Sequence, residues 1–280
     1  MVAFAARRMG YLVHVYSPDG DDVARPFCDG GVRRELDDLI SVRQFAKSVD
    51  VVTATDDGVP AMALEAANEV GLLRPGASSL TAVSGGAAEV DTGSLHTEFA
   101  VIGARGLNGH CVFYPPIAVD RADGRIEVSR MPASIGGRMA KQAMEMVRSA
   151  LEQAELVGVA AMEFRLTEEH ELRPGQFIPH LYSGGQLTIE GCVTSQYEQH
   201  LRAICGLPLG SADMLRPTAC ARLQSDASTT DVPDWVSVCA LPGVKFHLYG
   251  PTSGHVTALA ATATIARQIV SAARMTILRA

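Results

Sequence analysis

Lysine is scarce in this sequence. Its 280 residues include 24 Lys or Arg, yet only Lys47, Lys141 and Lys245 are lysines, so any chemistry that needs an amine has three candidates. The eight histidines are dispersed. His247 and His255 are the pair nearest one another in what reads as a sheet, a spacing that suits two core or turn histidines better than a metal site. Cys28, Cys111, Cys192, Cys205, Cys220 and Cys239 lie 13 or more positions apart, without the C-x-x-C pair of a zinc knuckle or redox site. Reduced, mostly buried thiols are the expectation. Generic signatures are missing too: no Walker lysine motif, no G-x-G-x-x-G after a strand, no H-E-x-x-H and no G-x-S-x-G.

The elements that would position these groups change character along the chain. Val2 to Met9 reads as a helix, Tyr11 to Tyr16 as a buried strand ended by the turn run Ser17-Pro18-Asp19-Gly20, Leu36 to Val49 as a helix and Asp50 to Ala54 as a strand. Pro60 to Val70 reads as a helix with Pro at its start and Gly71 as its stop. That alternation is the αβαβα of a parallel, doubly wound sheet, although such domains begin on a strand and this chain begins on a helix. Residues 76–93 are small and polar and read as a linker. Beyond them Glu98 to Ala104, Cys111 to Val119 and Arg125 to Ser129 predict an antiparallel meander with Gly-containing turns. Arg138 to Glu155 predicts an amphipathic helix, Val157 to Leu166 a strand and Leu187 to Ile204 a helix stopped by Gly206. The tail predicts strands at Thr218 to Leu223, Val244 to Tyr249 and His255 to Leu259, then a helix from Thr262 to Leu278.

A net charge of −7 argues against a basic nucleic-acid or anionic-membrane binder. No apolar run approaches the roughly 18 residues of a membrane span, and no charged leader precedes a long apolar block, so a cytoplasmic protein is expected.

Several longer strings resemble one family. The run from Ile189 to Ala203 (IEGCVTSQYEQHLRA), followed by Gly206-Leu-Pro-Leu-Gly-Ser211, is similar to the helix and loop of the N5-carboxyaminoimidazole ribonucleotide synthetases, ATP-grasp enzymes of purine biosynthesis. Ala5 to Tyr11, Val49 to Thr53, Leu73-Arg-Pro75, Val159 to Phe164 (VAAMEF), Gly243 to Gly250 (GVKFHLYG) and Gly254 to Thr257 extend the resemblance over most of the chain in the family's order. It implies an ATP-dependent carboxylase that makes carboxyphosphate from ATP and bicarbonate and passes its CO2 unit to the amine of aminoimidazole ribonucleotide. Such phosphoryl transfer needs cations over the phosphates and carboxylates holding Mg2+ in oxygen geometry.

Five parts of that mechanism are altered here. The family's glycine-rich turn aligns ahead of Met1, so turn and first strand are missing. Leu73-Arg-Pro75 is followed within about twenty residues by Glu98-Phe-Ala-Val-Ile102, which resembles the strand after the swinging subdomain, so the lid and its lysines are absent. Glu163 matches the first metal carboxylate, but the Asn-Glu expected on the next strand is Gly175-Gln176. Glu163 alone could equally be a hydrogen-bonded strand residue. The substrate loop, Pro-Arg-Pro-His-Asn-Ser-Gly-His in the family, reads Pro179-His-Leu-Tyr-Ser-Gly-Gly-Gln186, with His180 for Arg and with Tyr182 and Gln186 for the histidines. The phosphate-binding basic loop after Tyr249-Gly250 is replaced by Pro251-Thr-Ser253.

The expected protein is therefore α/β, a truncated doubly wound parallel-sheet N-terminal domain plus an α+β ATP-grasp-like C-terminal half lacking the lid. Its units are a Rossmann-like pre-ATP-grasp domain (1–75), a linker in place of the lid (76–97), a residual ATP-grasp core (98–215) and a small β/α domain (216–280). Three readings compete: a degenerate relative not competent for ATP-dependent carboxylation, an active carboxylating ligase with an incomplete gene model, and a repurposed enzyme in the same cleft. The site residues would be His180 and Tyr182 for catalysis, Asp57, Lys245 and Tyr249 for substrate, and Glu163 for metal, Lys245 having the alternative of merely snorkelling. ATP and Mg2+ are the family's cofactors, and which of them binds here is left open. A homodimer and a small-molecule ligand in the residual cleft are the expected partners, with no nucleic acid and no membrane.

Overall fold

The computed structural model describes residues 1–18, 23–81, 97–167, 171–224, 234–250 and 253–278. Helix α1 (Val2–Arg8) leads into β1 (His14–Ser17), which pairs in parallel with β2 (Gly30–Arg33). Strand β1 is shorter than the run from Tyr11 predicts and is half-exposed rather than buried, with Leu12 77% exposed just ahead of it. The turn run is described only to Pro18. Strand β2 escapes sequence reading because Gly30-Gly31 disfavours strand by propensity. Helix α2 (Leu39–Lys47) is capped by Asp38, whose carboxylate accepts from the Ser41 N–H at 3.1 Å. Helix α3 (Ala61–Val70) starts after Pro60 and ends at Gly71 as expected. The reason for Gly71 is contact: a Cβ there would come within 2.8 Å of the Ala46 carbonyl oxygen, so its absence lets α2 and α3 close on one another. The strand expected over Asp50 to Ala54 reduces to one parallel bridge, Val52 to Leu73. The N-terminal sheet is parallel, as the alternation requires, but among the described residues no ladder joins β1 to that bridge.

Residues 82–96, most of the expected linker, lie outside the described residues; ahead of them Ala77–Thr81 forms helix α4. The second half then builds an antiparallel sheet from β3 (Thr97–Arg105), β4 (Cys111–Phe113), β5 (Ile117–Ala122) and β6 (Arg125–Met131). The single strand predicted from Cys111 to Val119 is split because Pro115 and Pro116 offer no N–H to a ladder. Helix α5 (Gly137–Gln153) buries Ala143, Val147 and Leu151, spaced four apart, on one stripe against the sheet. Strands β7 (Gly158–Leu166) and β8 (Leu172–Ile178) extend the sheet on the far side of β3.

The helix predicted over Leu187 to Ile204 is interrupted. A 3₁₀ turn (Ser183–Leu187) runs into the short α6 (Thr188–Gly191), and the chain is then extended at Cys192. There the Val193 and Thr194 N–H groups donate to Asp213 and Ser211 carbonyls at 3.0 and 3.1 Å. Helix α7 (Gln196–Ile204) restarts under a Ser195 cap, whose hydroxyl accepts from the Glu198 N–H, the Ser-x-x-Glu pattern of a capping box. Strand β9 (Thr218–Gln224) pairs with β6, so the tail joins the same sheet. The short helix α8 (Trp235–Ala240) is capped by Asp234 and was not foreseen. Strands β10 (Val244–Gly250) and β11 (Ser253–Leu259) and helix α9 (Ala263–Leu278) complete the chain. Among the described residues the large sheet has nine strands, in the order β10-β11-β9-β6-β5-β3-β7-β8 with β4 beside β3. Helices α5 and α9 pack against it over separate apolar clusters. No helix of the described residues is long and apolar enough to cross a membrane.

The N-terminal unit is tied to the sheet through buried polar groups. His200 on α7 is fully buried; its Nδ1 accepts from the Val159 N–H at 3.2 Å, which leaves the proton on Nε2 to be donated to the Thr53 hydroxyl at 2.8 Å. Arg74 Nη1 donates to the Ile204 carbonyl at 2.7 Å, and Ser79 Oγ to the Ala154 carbonyl at 2.8 Å. Burial, and secondarily the neighbouring His180, push the His200 pKa down from 6.5 to about 4. Because the folded state favours neutral His200, its contribution is complete above the unfolded pKa and is lost as pH falls from 6.5 towards 4, where the unfolded chain binds a proton that the folded one refuses. Urea unfolding should show a loss of about 2–3 kcal/mol from this group between pH 7.5 and pH 4.5. His200→Gln should lower stability at pH 7.5 and flatten that slope.

Candidate functional site

Glu98 on β3 and Glu163 on β7 lie diagonally across one antiparallel pair, since Glu98 is in register with Arg165 and Glu163 with Ala100. Their side chains share a face, and two carboxylates so placed repel. Arg121 reaches them from β5. Its Nε donates to Glu98 Oε2 at 3.2 Å, its Nη1 to the Gly124 carbonyl at 3.2 Å, and its Nη2 makes a short ion pair with Glu163 Oε1. Arg165 pairs with the other oxygen of Glu98 at 3.4 Å. Glu163 and Arg121 are only 24% and 28% exposed, so this is a shielded pair rather than a screened surface contact. Burial works to lower the Arg121 pKa, but Glu163, Tyr182 and Glu98 outweigh it and the net shift is upward, fixing the guanidinium as a cation.

Tyr182 completes the centre by donating its hydroxyl to the same Glu163 oxygen at 2.9 Å. Burial first, then the Glu163 charge, push its pKa well up, so it acts as a permanent donor and not as an acid or base near neutrality. The loop that carries it is clamped by Gln196, fully buried, whose Oε1 accepts from the Tyr182 N–H at 3.1 Å and whose Nε2 donates to the Tyr182 carbonyl at 2.8 Å. Thr188 ties the same loop, donating to the Gly185 carbonyl at 2.6 Å and accepting from the Gln196 N–H at 3.0 Å. At Gly185 a Cβ would meet the Gln196 amide at 2.4 Å, which is why the Gly184-Gly185 pair lies under the clamp.

A cavity of about 220 Å³ with a mixed polar and apolar lining opens on the same face, between β6, the 3₁₀ turn, β9 and the β10–β11 hairpin. Ser129, Ser183, Gln186, Arg222 and Tyr249 supply its polar wall. The Tyr249 hydroxyl makes a short hydrogen bond to His255 Nδ1 and receives Gln186 Nε2 at 3.2 Å. His255 stacks on His247, with ring centroids 4.6 Å apart, and His247 Nε2 pairs with Glu190 at 2.7 Å. Burial, then His247 and the chain's amino terminus, push the His255 pKa down to about 3, while burial drives Tyr249 upward. At neutral pH the tyrosine donates to a neutral imidazole and neither group is poised to shuttle protons. Cys220 beside them is pushed up to about 12 by burial and stays a thiol.

The structure therefore brings Glu163 and Tyr182 together and sets Tyr249 apart in the cavity. His180 is in neither place; its Nδ1 donates to the Leu181 carbonyl at 3.0 Å, and its charge helps to hold the His200 pKa down. Asp57 sits in the exposed turn before α3, and no hydrogen bond or ion pair among the described residues joins it to Glu163, Tyr182 or Tyr249. Lys245 is exposed on β10 opposite Thr257 and does not line the cavity. Sequence reasoning missed Arg121, Glu98 and Gln196. Gln196 stands within the string that carries the family resemblance, whereas an arginine on a strand gives no signal by itself. Pro251 and Thr252 of the replaced basic loop lie outside the described residues.

Residues 1–84 match the ribonucleotide synthetase preATP-grasp domain and residues 90–197 the ATP-grasp domain. The chain is similar to the N5-carboxyaminoimidazole ribonucleotide synthase of Bacillus subtilis, at 34% identity over 48% of this chain and 35% of that protein. It is similar also to the enzyme of that name from Vibrio cholerae, at 35% identity over 55% of this chain and 38% of that protein. The matches thus span little more than a third of these relatives' length. The crystal structure of the Thermus thermophilus synthetase superposes with a TM-score of 0.85 at 22% identity, covering 99% of this chain and 95% of that one, and shows a common fold.

A family divalent ion does not fit these residues. Glu163 is already engaged by Arg121 and Tyr182. On β8, where the register slips opposite Glu163 and Gly175 packs on its backbone, Gln176 offers a neutral amide and not a carboxylate. Among the described residues no three His, Cys, Asp or Glu side chains converge to hold a metal. The clamp is the part of this arrangement most open to test: Gln196→Leu leaves two backbone groups of Tyr182 buried and unpaired and should lower stability by about 2–4 kcal/mol in urea unfolding.

Proposed function

We propose that the chain, which matches the preATP-grasp and ATP-grasp domains and shares the mixed α/β ATP-grasp fold of an N5-carboxyaminoimidazole ribonucleotide synthetase, keeps the scaffold of that enzyme but does not carry out its ATP-dependent carboxylation of aminoimidazole ribonucleotide. The observation that carries this reading is the state of Glu163, the one residue matching a family metal carboxylate, which is spent on a guanidinium and a phenol. Sequence length supports it, since only 22 residues separate Pro75 from Glu98, too few for the lid subdomain and with no lysine among them. With no lysine between Pro75 and Glu98 and with Glu163 held by Arg121 and Tyr182, phosphoryl transfer would lack charge neutralisation of the kind it needs over the phosphates and at Mg2+.

The cavity, apolar over more than half its lining, favours a second reading, a repurposed small-molecule site on the same face, with Tyr249 and Gln186 as fixed hydrogen-bonding walls. In that reading Tyr182 positions Glu163 and does not itself react. His180, Asp57 and Lys245 have no place in the cavity wall and drop out as its contacts. Self-association into a homodimer remains part of the proposal.

Purified protein supplied with ATP, Mg2+, bicarbonate and aminoimidazole ribonucleotide should release ADP no faster than a blank without the ribonucleotide. Turnover stimulated by the ribonucleotide would overturn the reading.

A further inference from the structure

Arg222 lies on β9 in register with His255 of β11, two residues on from Cys220, which is in register with Ser129 of β6. Ala219 and Ala221, the alternate residues of that strand, are buried in the apolar cluster under α9, so Cys220 and Arg222 project from the other face, where the cavity opens. Among the described residues no carboxylate pairs with Arg222, and the acid in the cavity wall, Glu127, is already held by Arg274 at 2.6 Å. The guanidinium is an uncommitted cation, and its charge is felt at the Tyr249 hydroxyl, where it opposes the upward push of burial.

The hydrogen-bond inventory of the wall leaves mostly donors for a guest. The Tyr249 hydroxyl spends its proton on His255 Nδ1 and accepts from Gln186 Nε2, and the Gln186 carbonyl oxygen receives the Cys220 thiol at 3.9 Å. What remains is the second N–H of the Gln186 amide, the hydroxyls of Ser129, Ser183 and Ser253, and the guanidinium fork. Such a set suits an anion. Among the described residues Arg222 is the one cation in that wall, and Pro251-Thr-Ser253 beside it contains no other. A carboxylate carries a single negative charge and meets the fork with two parallel hydrogen bonds, whereas a phosphate dianion would leave one charge unanswered. The volume of about 220 Å³ is below the roughly 300–1,000 Å³ of a drug-sized pocket, and with Ile126 in the lining it admits a stem of a few carbons.

We propose that this cavity binds a small carboxylate with a short apolar stem, its charge met by Arg222 and by the hydroxyls of Ser129, Ser183 and Ser253. The inference deepens the small-molecule reading of the same cavity and rests on it.

Butyrate is the probe, titrated against the full-length chain by saturation-transfer NMR, with butanamide as its neutral isostere and propyl phosphate as its phosphate-bearing counterpart. The parent should bind butyrate in the millimolar range and each of the other two about tenfold more weakly. Arg222→Gln, at an exposed position outside the apolar clusters, should weaken butyrate about tenfold, and Arg222→Lys, which keeps the charge without the fork, should fall between. Tighter binding of propyl phosphate than of butyrate would overturn the inference, as would an Arg222→Gln chain, shown to be folded by circular dichroism, that keeps the parent's affinity. The comparison with butanamide needs no variant and separates the two readings. Equal binding of butyrate and butanamide sinks only the carboxylate inference, whereas a parent that binds neither sinks the small-molecule reading with it.

Discussion

Two carboxylates side by side on one face of an antiparallel pair cannot both stay ionised in a shielded place unless a cation lies within reach. That constraint organises the centre of this molecule. Glu98 and Glu163 draw Arg121 from β5 and Arg165 from β7. The shared oxygen of Glu163 draws the Tyr182 hydroxyl, and a buried tyrosine is held there only because its loop is pinned by Gln196 and Thr188. The chain of dependence runs from charge to side chain to backbone. It ends at α7, whose other buried glutamine, Gln199, pins Gly210 in the same two-bond manner at 2.7 and 2.8 Å.

The same helix also joins the halves of the molecule. His200 works as a neutral linker, one nitrogen receiving from β7 and the other giving to Thr53. A protonated imidazole would have no acceptor at Nδ1 and would carry an unpaired charge in a site with no solvent. Packing of the N-terminal unit and the proton inventory of α7 are thus one problem, and the family-like string from Ile189 to Ala203 is dense with buried polar residues for that reason.

Periodicity made most of the fold legible. The α5 stripe, the β5–β6 turn and the Gly206 stop were readable because each rests on local chemistry that a short window contains. Failures had tertiary causes. The predicted helix after Leu187 is cut where Gly191 and Cys192 pair with residues 211–215, a partner some twenty residues away. Strand β2 exists because β1 offers it an edge, against the preference of its own glycines. Of the site, Glu163 and Tyr182 were each singled out from motifs, for a metal and for catalysis, and the structure joins them by a hydrogen bond instead. Arg121 was invisible, since a strand arginine gains meaning only when the register of β3, β5 and β7 puts two acids beside it. Asp57 and Lys245 were credited with ligand roles that their exposed positions do not support.

Lys245 has another use. Among the described residues β10 is the outermost strand of the large sheet, so one row of its backbone groups faces outward, and Phe246 and Leu248 on it are 40% and 49% exposed. A sticky ribbon of that kind invites a second molecule to dock strand against strand. The charged head of Lys245 and the register slip between Leu248 and Gly250 both spoil that docking. A charge at that place is the ordinary defence of a sheet edge against strand-to-strand association, and Lys245 is the lysine positioned on β10 to provide it.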